Sequence, residues 1–104
     1  MAPAPVRKAL TATQLIASLA KIDGWKLHGD GADLAIEKTF AFGNYLQTMA
    51  FANAVAYIAE QNDHHPAMLV QWGSCSVRFN THDVNGISNT DFECAALVDA
   101  LAQN

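Results

Sequence analysis

The chain reads as a single α+β domain of order α-β-β-α-β-β-α, with a four-stranded antiparallel sheet and helices packed on one face. Three observations carry that expectation. Apolar residues recur at helical spacing in three stretches, near 13–22, 44–61 and 91–101. Between them, two pairs of short segments alternate with period two around turn residues, at 25–42 and 68–81. A chain of 104 residues buries roughly 60–70% of its unfolded surface, enough for one core.

Residues 1–10 read as a flexible arm ahead of a domain at 11–104. Thr11 or Thr13 caps the first helix, whose stripe is Leu15, Ile16, Leu19 and Ile22, and Gly24 stops it. The short segment 25–28 places Trp25 and Leu27 on one face. Gly29 to Gly31 is a turn, and 33–42 returns as a strand with Leu34, Ile36, Phe40 and Phe42 on its apolar side. Lys38 is the single break in that side. Gly43 and Asn44 open a longer helix running to about Gln61, with Leu46, Met49, Ala50, Ala54, Tyr57 and Ile58 as its stripe, widened by Phe51 and Val55. Pro66 closes the helical option and pushes His65 toward extended backbone. Segments 68–72 and 75–81 form a second hairpin in which Val77 and Phe79 share one face, and Ser76, Arg78, Asn80 and His82 the other. Ser88 and Asp91 have capping-box spacing for a last helix with Cys94, Leu97, Val98 and Leu101 inward.

Composition excludes several classes. With 51% apolar and 15% charged residues the chain is not disordered. No apolar run approaches the roughly 20 residues of a membrane helix, and the N-terminal stretch lacks the apolar segment of a secretory signal. Net charge is −4, and the six Lys and Arg residues do not cluster, which argues against a nucleic-acid surface. Cys75 and Cys94 lack zinc or redox spacing and read as buried thiols in a reducing cytoplasm.

The chemistry concentrates in two places. His64 and His65 stand between an acidic pair, Glu60 and Asp63, and Pro66; His82 follows in Asn80, Thr81, His82, Asp83. Imidazole both accepts and donates protons near neutrality, so clustered histidines point to general acid–base work. Adjacent side chains on extended backbone diverge, so His64 and His65 face different surroundings. Asp63 and Asp91 are candidates to set a tautomer or hold an imidazolium. His28, beside a turn, reads as a surface residue, and Trp72, Phe40 and Phe42 as core.

Glu60, His64, His65, Pro66, Trp72, Thr81, His82, Asp83, Gly86 and Asp91 together resemble the pattern of the pterin-4a-carbinolamine dehydratases. Gly24, Trp25, Phe40, Phe42 and the element order fit the same family, so the resemblance spans most of the chain. It implies dehydration of 4a-hydroxytetrahydropterin to quinonoid dihydropterin, the recycling step after an aromatic amino-acid hydroxylase, without a cofactor or a metal. Carried over by position, it makes His64, His65, His82 and Asp91 the catalytic set, with Glu60, Asp63, Pro66, Thr81, Asp83 and Val84 among the substrate contacts. Ala67 and Met68 depart from an acidic residue and a tryptophan frequent in the family. The resemblance further implies a homodimer or homotetramer. Two other readings compete: a three-histidine zinc enzyme using His64, His65 and His82, and a dimerisation cofactor like the family's animal members.

Overall fold

The alternating and helical segments resolve into three helices and four strands. The computed structural model describes residues 7–102. It runs α1 (Ala12–Leu19), β1 (Lys26–His28), β2 (Ala35–Ala41), α2 (Tyr45–Asn62), β3 (Ala67–Gln71), β4 (Ser74–Phe79) and α3 (Asn89–Ala102). The strands make one antiparallel sheet in the order β1-β2-β4-β3, as expected. Among the described residues no helix is long and apolar enough to cross a membrane.

Local chemistry starts the helices. Thr11 is the cap of α1: its Oγ1 accepts from the Gln14 amide at 3.2 Å, while Gln14 Oε1 accepts from the Thr11 amide at 3.0 Å. Asn44 Oδ1 accepts from the Gln47 amide at 2.8 Å and opens α2. Asp63 ends α2 in the left-handed region, φ 47°, a conformation that Asp tolerates better than most residues.

Strand register decides which face is core. Ile36 pairs with Phe79, Lys38 with Val77 and Phe40 with Cys75. All of these apolar partners are buried, together with Phe51, Ala52 and Val55 of α2 and Phe92, Cys94, Ala95 and Val98 of α3. On the opposite face Glu37 pairs with Arg78 and Thr39 with Ser76, whose hydroxyls lie 2.7 Å apart. That face carries no apolar core. Lys38 sits on the core side yet keeps its charge satisfied: Nζ donates to Asp99 Oδ1 and to the Asp23 carbonyl, both at 2.8 Å, and lies 5.0 Å from the Phe40 ring centre. Asp99 also accepts from Trp25 Nε1 at 3.0 Å, which ties the entry of β1 to α3.

Five details differ from the sequence reading. Helix α1 ends at Leu19, so Ile22 lies beyond it, and Ile16 is exposed. The buried line of α2 is Thr48, Phe51, Ala52, Val55 and Ala59, whereas Leu46 and Tyr57 are 80% and 66% exposed. An alanine-rich helix offers two stripes of similar apolarity, and the aromatic Phe51 wins because it meets Phe40 and Phe42 at ring-centre distances of 4.7 and 5.0 Å. Trp72 is 70% exposed because it occupies the two-residue turn between β3 and β4. Leu97 is half-exposed on α3. Residues 7–10 of the expected arm run antiparallel to 87–89, with Leu10 N donating to Ile87 O at 3.1 Å and Ala9 bridging Ser88. Residues 1–6 lie outside the described residues.

Candidate active site

Pairing of β3 with β4 ends at Ala67 opposite Arg78, and beyond that point the two chains carry the histidines. On one side α2 stops at Asp63 and residues 64–66 lead into β3. On the other, β4 passes through Asn80 and Thr81 into a 3-10 turn over His82–Val84. Thr81 and Gly86 close this second loop by exchanging backbone hydrogen bonds of 2.8 and 3.3 Å. Asn85 completes it in the left-handed region, φ 56°.

His64 and His65 point apart, as neighbours on extended backbone do. His64 turns to the core and is 6% exposed; its ring lies nearly parallel to Phe79, 11° between planes and 5.8 Å between centres. Its Nε2 donates to Asp91 Oδ1 at 2.5 Å. Asp91 itself is fully buried on the first turn of α3. Its other oxygen, Oδ2, accepts from the Ser88 amide at 2.9 Å and from the Thr81 hydroxyl at 2.7 Å. Since a hydroxyl has one proton, the 2.7 Å contact between Thr81 and Ser88 makes Ser88 Oγ the donor to Thr81. Four segments thus converge on one carboxylate: the exit of α2, the end of β4, the loop before α3, and α3. The Ser88–Asp91 capping box is half formed, because the carboxylate reaches back to the Ser88 amide while the Ser88 hydroxyl serves Thr81.

His65 turns outward, and its Nε2 lies 2.6 Å from Glu60 Oε1 on the last turn of α2, both side chains being exposed. With Pro66, Ala67, Arg78, Asn80, His82 and Asp33 it lines a cleft of about 380 Å³ on the helix-free face of the sheet. Arg78 Nη2 donates to the Asp33 carbonyl at 2.8 Å, and Asn80 Nδ2 donates to the carbonyls of Ala32 and Leu34 at 3.1 and 2.6 Å, fixing that wall. Gly29 makes the approach possible: φ is +80°, and a Cβ there would stand 2.7 Å from the Asp33 carbonyl oxygen.

The structure therefore brings His65, Pro66 and His82 to one wall and sets His64, Thr81 and Asp91 behind it. Asp63 enters through its backbone, whose carbonyl accepts from Arg7 Nη2. Asp83 is exposed and pairs with Arg7 Nη1 at 3.2 Å, and Val84 is half-buried within the 3-10 turn. Sequence reasoning did not single out Arg7, Asp33, Arg78 or Asn80 as site residues. Arg78 and Asn80 had a signal, since they share the period-two face of His82, whereas Arg7 had none. Among the described residues no group of three His, Cys, Asp or Glu side chains is arranged to hold a metal ion.

Fold and site define a small α+β domain that sets one imidazole–carboxylate pair at an open cleft and a second, buried pair behind it. The chain belongs to the pterin 4 alpha carbinolamine dehydratase family, whose model matches residues 8–101. A protein of Paracidovorax citrulli, provisionally named a pterin-4-alpha-carbinolamine dehydratase, is 56% identical over 94% of this chain and 84% of its own length. Among solved structures, a transcriptional coactivator/pterin dehydratase from Brucella melitensis superimposes with a TM-score of 0.84 at 28% identity, covering 91% of this chain and 99% of that one. A pterin dehydratase-like protein described as a RuBisCO assembly factor in the alpha-carboxysome gives 0.65 at 30% identity, over 76% and 89% of the two chains.

Burial beside the Asp91 carboxylate has a measurable consequence at Cys94, on the next turn of α3. Burial first, then the charges of Asp91 and Glu93, push its thiol up to about 11, with Arg7 opposing. The unfolded thiol ionises near 9.0, so above that pH the unfolded state sheds a proton that the folded state keeps. Stability from this group is intact below pH 9 and is lost as pH rises toward 11. Urea unfolding is expected to show roughly 2–3 kcal/mol lost over that window, and Cys94→Ala should remove that part of the slope. An identical slope in the variant would contradict the assignment.

Proposed function

We propose that the chain dehydrates 4a-hydroxytetrahydropterin to quinonoid dihydropterin, with the pterin held in the cleft between 64–66 and 80–84. The observation that carries the reading is the pairing of His64 with the buried Asp91 next to a cleft lined by His65 and His82, within a chain of this family. The reaction moves protons only. One proton goes to the 4a-oxygen, which leaves as water; the N5 lone pair forms the C4a–N5 double bond; and the N5 proton is then given up. Substrate loses one water, with no change in oxidation state overall.

His64 and His82 are the proposed proton-transfer groups. With Nε2 of His64 committed to Asp91, Nδ1 is the nitrogen left for exchange with substrate, and the carboxylate holds the ring's tautomer and orientation. His82 acts from the opposite loop, so a hydroxyl on either ring face finds a donor. His65, braced by Glu60, orients the pterin together with Pro66, Asn80 and Arg78, while Thr81 acts through Asp91, and Asp63, Asp83 and Val84 shape the loops. In a cell this activity would serve pterin recycling in the cytoplasm beside an aromatic amino-acid hydroxylase.

A second reading, an interaction module, draws support from the names of the two solved relatives, one a coactivator and one an assembly factor. Full biological activity in a protein lacking both His64 and His82 would favour it.

The histidine variants test the first reading directly. Single changes His64→Ala and His82→Ala are each expected to lower the dehydration rate about 10–10³-fold, near the usual range for one acid–base group. The double variant should approach the uncatalysed rate, and His65→Ala should raise KM more than it lowers kcat. EDTA should leave the rate unchanged. Wild-type turnover in the double variant would sink the proposal, and a kcat loss confined to His65→Ala and His82→Ala would move the acid–base pair to the cleft wall.

The proposal includes a homo-oligomer, because Leu46 and Tyr57 of α2 and Leu69 and Trp72 near β3 leave apolar surface 60–80% exposed. Sedimentation at micromolar concentration should show a species above 11.2 kDa. A monomer alone would refute that part.

A further inference from the structure

We infer that Arg7 is a positioning residue that holds the His64–His65 loop and the His82 loop at a fixed separation. The inference rests on the dehydratase reading of the cleft for its kinetic consequence, and on geometry alone for the link itself. The Asp91 network joins the two loops on their buried side through His64 and Thr81, and Arg7 joins them on the outer side. The β3–β4 ladder ends at Ala67 and Arg78, so residues 63–66 and 80–84 leave the sheet on either side of the cleft. Arg7 spans that gap with the two terminal nitrogens of its guanidinium. Nη2 donates to the carbonyl of Asp63, the residue before His64, and Nη1 pairs at 3.2 Å with Asp83 Oδ2, the residue after His82.

Three further facts separate this contact from an ordinary surface ion pair. The Arg7 side chain is only 17% exposed although Asp83 is 71% exposed. Its Nε is buried with no hydrogen-bond partner among the described residues, a placement that costs free energy and is set against the contacts of Nη1 and Nη2. And its backbone is anchored next to the Asp91 network. Lys8 N donates to Asn89 Oδ1 at 2.8 Å, Leu10 N donates to Ile87 O, and Ala9 bridges Ser88, whose amide and hydroxyl serve Asp91 and Thr81. The strap therefore starts from the residue that completes the His64–Asp91 pair and ends on both loops.

A planar guanidinium addresses two acceptors at once, which an ammonium on a flexible stem does not. Loss of the fork should loosen the outer ends of both loops and so weaken the cleft between them, while Asp91 still holds the His64 ring. Asp83 is mostly exposed, so its ion pair with Arg7 contributes little to global stability. The signature of a positioning role is thus a loss in substrate binding without general unfolding.

The test uses the full chain with Arg7→Gln and Arg7→Lys. Dehydration of 4a-hydroxytetrahydropterin by Arg7→Gln should show KM raised about tenfold with kcat within about threefold of wild type, and Arg7→Lys should recover part of the loss. Amide exchange supplies a readout that needs no turnover. The amides of His64, Val84 and Asn85, bonded to Ala59, Thr81 and His82, should exchange about tenfold faster in Arg7→Gln, while those within β4 stay unchanged. Wild-type exchange at all three amides would overturn the inference. So would uniform acceleration across the chain, which would mean a purely structural residue. Wild-type protein without dehydratase turnover would overturn the functional reading instead, and the exchange arm would still decide whether Arg7 joins the loops.

Discussion

The Asp91 carboxylate is the point on which the site depends. It is fully buried, yet it receives a ring N–H from His64, a hydroxyl from Thr81 and an amide from Ser88. A buried charge without such partners is costly, and removing one partner of a buried pair typically costs about 3–5 kcal/mol. The donors come from separate parts of the chain, so satisfying Asp91 requires α2, β4 and α3 to be in their final places. The same bonds that close the fold also fix the His64 ring, with Phe79 of the core against its face. Stability and site geometry are one arrangement here.

A second constraint is the backbone between Asp63 and Pro66. The left-handed Asp63 stops α2 abruptly, and Pro66 holds the next residues extended. Two adjacent histidines then emerge on opposite sides of the sheet's end, one to the Asp91 network and one to the cleft with Glu60. A continuing helix would have carried both about 100° apart on its own surface, and neither carboxylate pairing would form. The helix-free face of the sheet supplies the rest of the wall, through Arg78 and Asn80 in register with the strands that cover the core.

Much of this was legible in the residues. The alternation around Ile36 and Phe40, and around Val77 and Phe79, decided strand faces because a period of two leaves no ambiguity once one face is apolar. The histidine pattern marked both loops. What was not legible depended on competition between similar options. The alanines of α2 permit two stripes, and only the ring contacts of Phe51 choose between them. Trp72 looks like core by residue type, but the register of the hairpin strands it in a turn. Asp91 was a candidate to set a histidine tautomer, but that the histidine is His64, 27 positions away, no local pattern encodes. Arg7 lies in a segment whose composition signals nothing.

The central claim is that Asp91 fixes His64 for proton transfer to a pterin. The rate of 4a-hydroxytetrahydropterin dehydration by the wild-type chain and by Asp91→Asn, measured side by side on folded protein, tests it most directly. An amide keeps the shape and one acceptor but removes the charge. The expected result is clear acceleration over the spontaneous reaction by wild type, and about 10–10³-fold lower kcat in Asp91→Asn with KM little changed. Equal kcat in the two proteins, or no acceleration by wild type, would contradict the account.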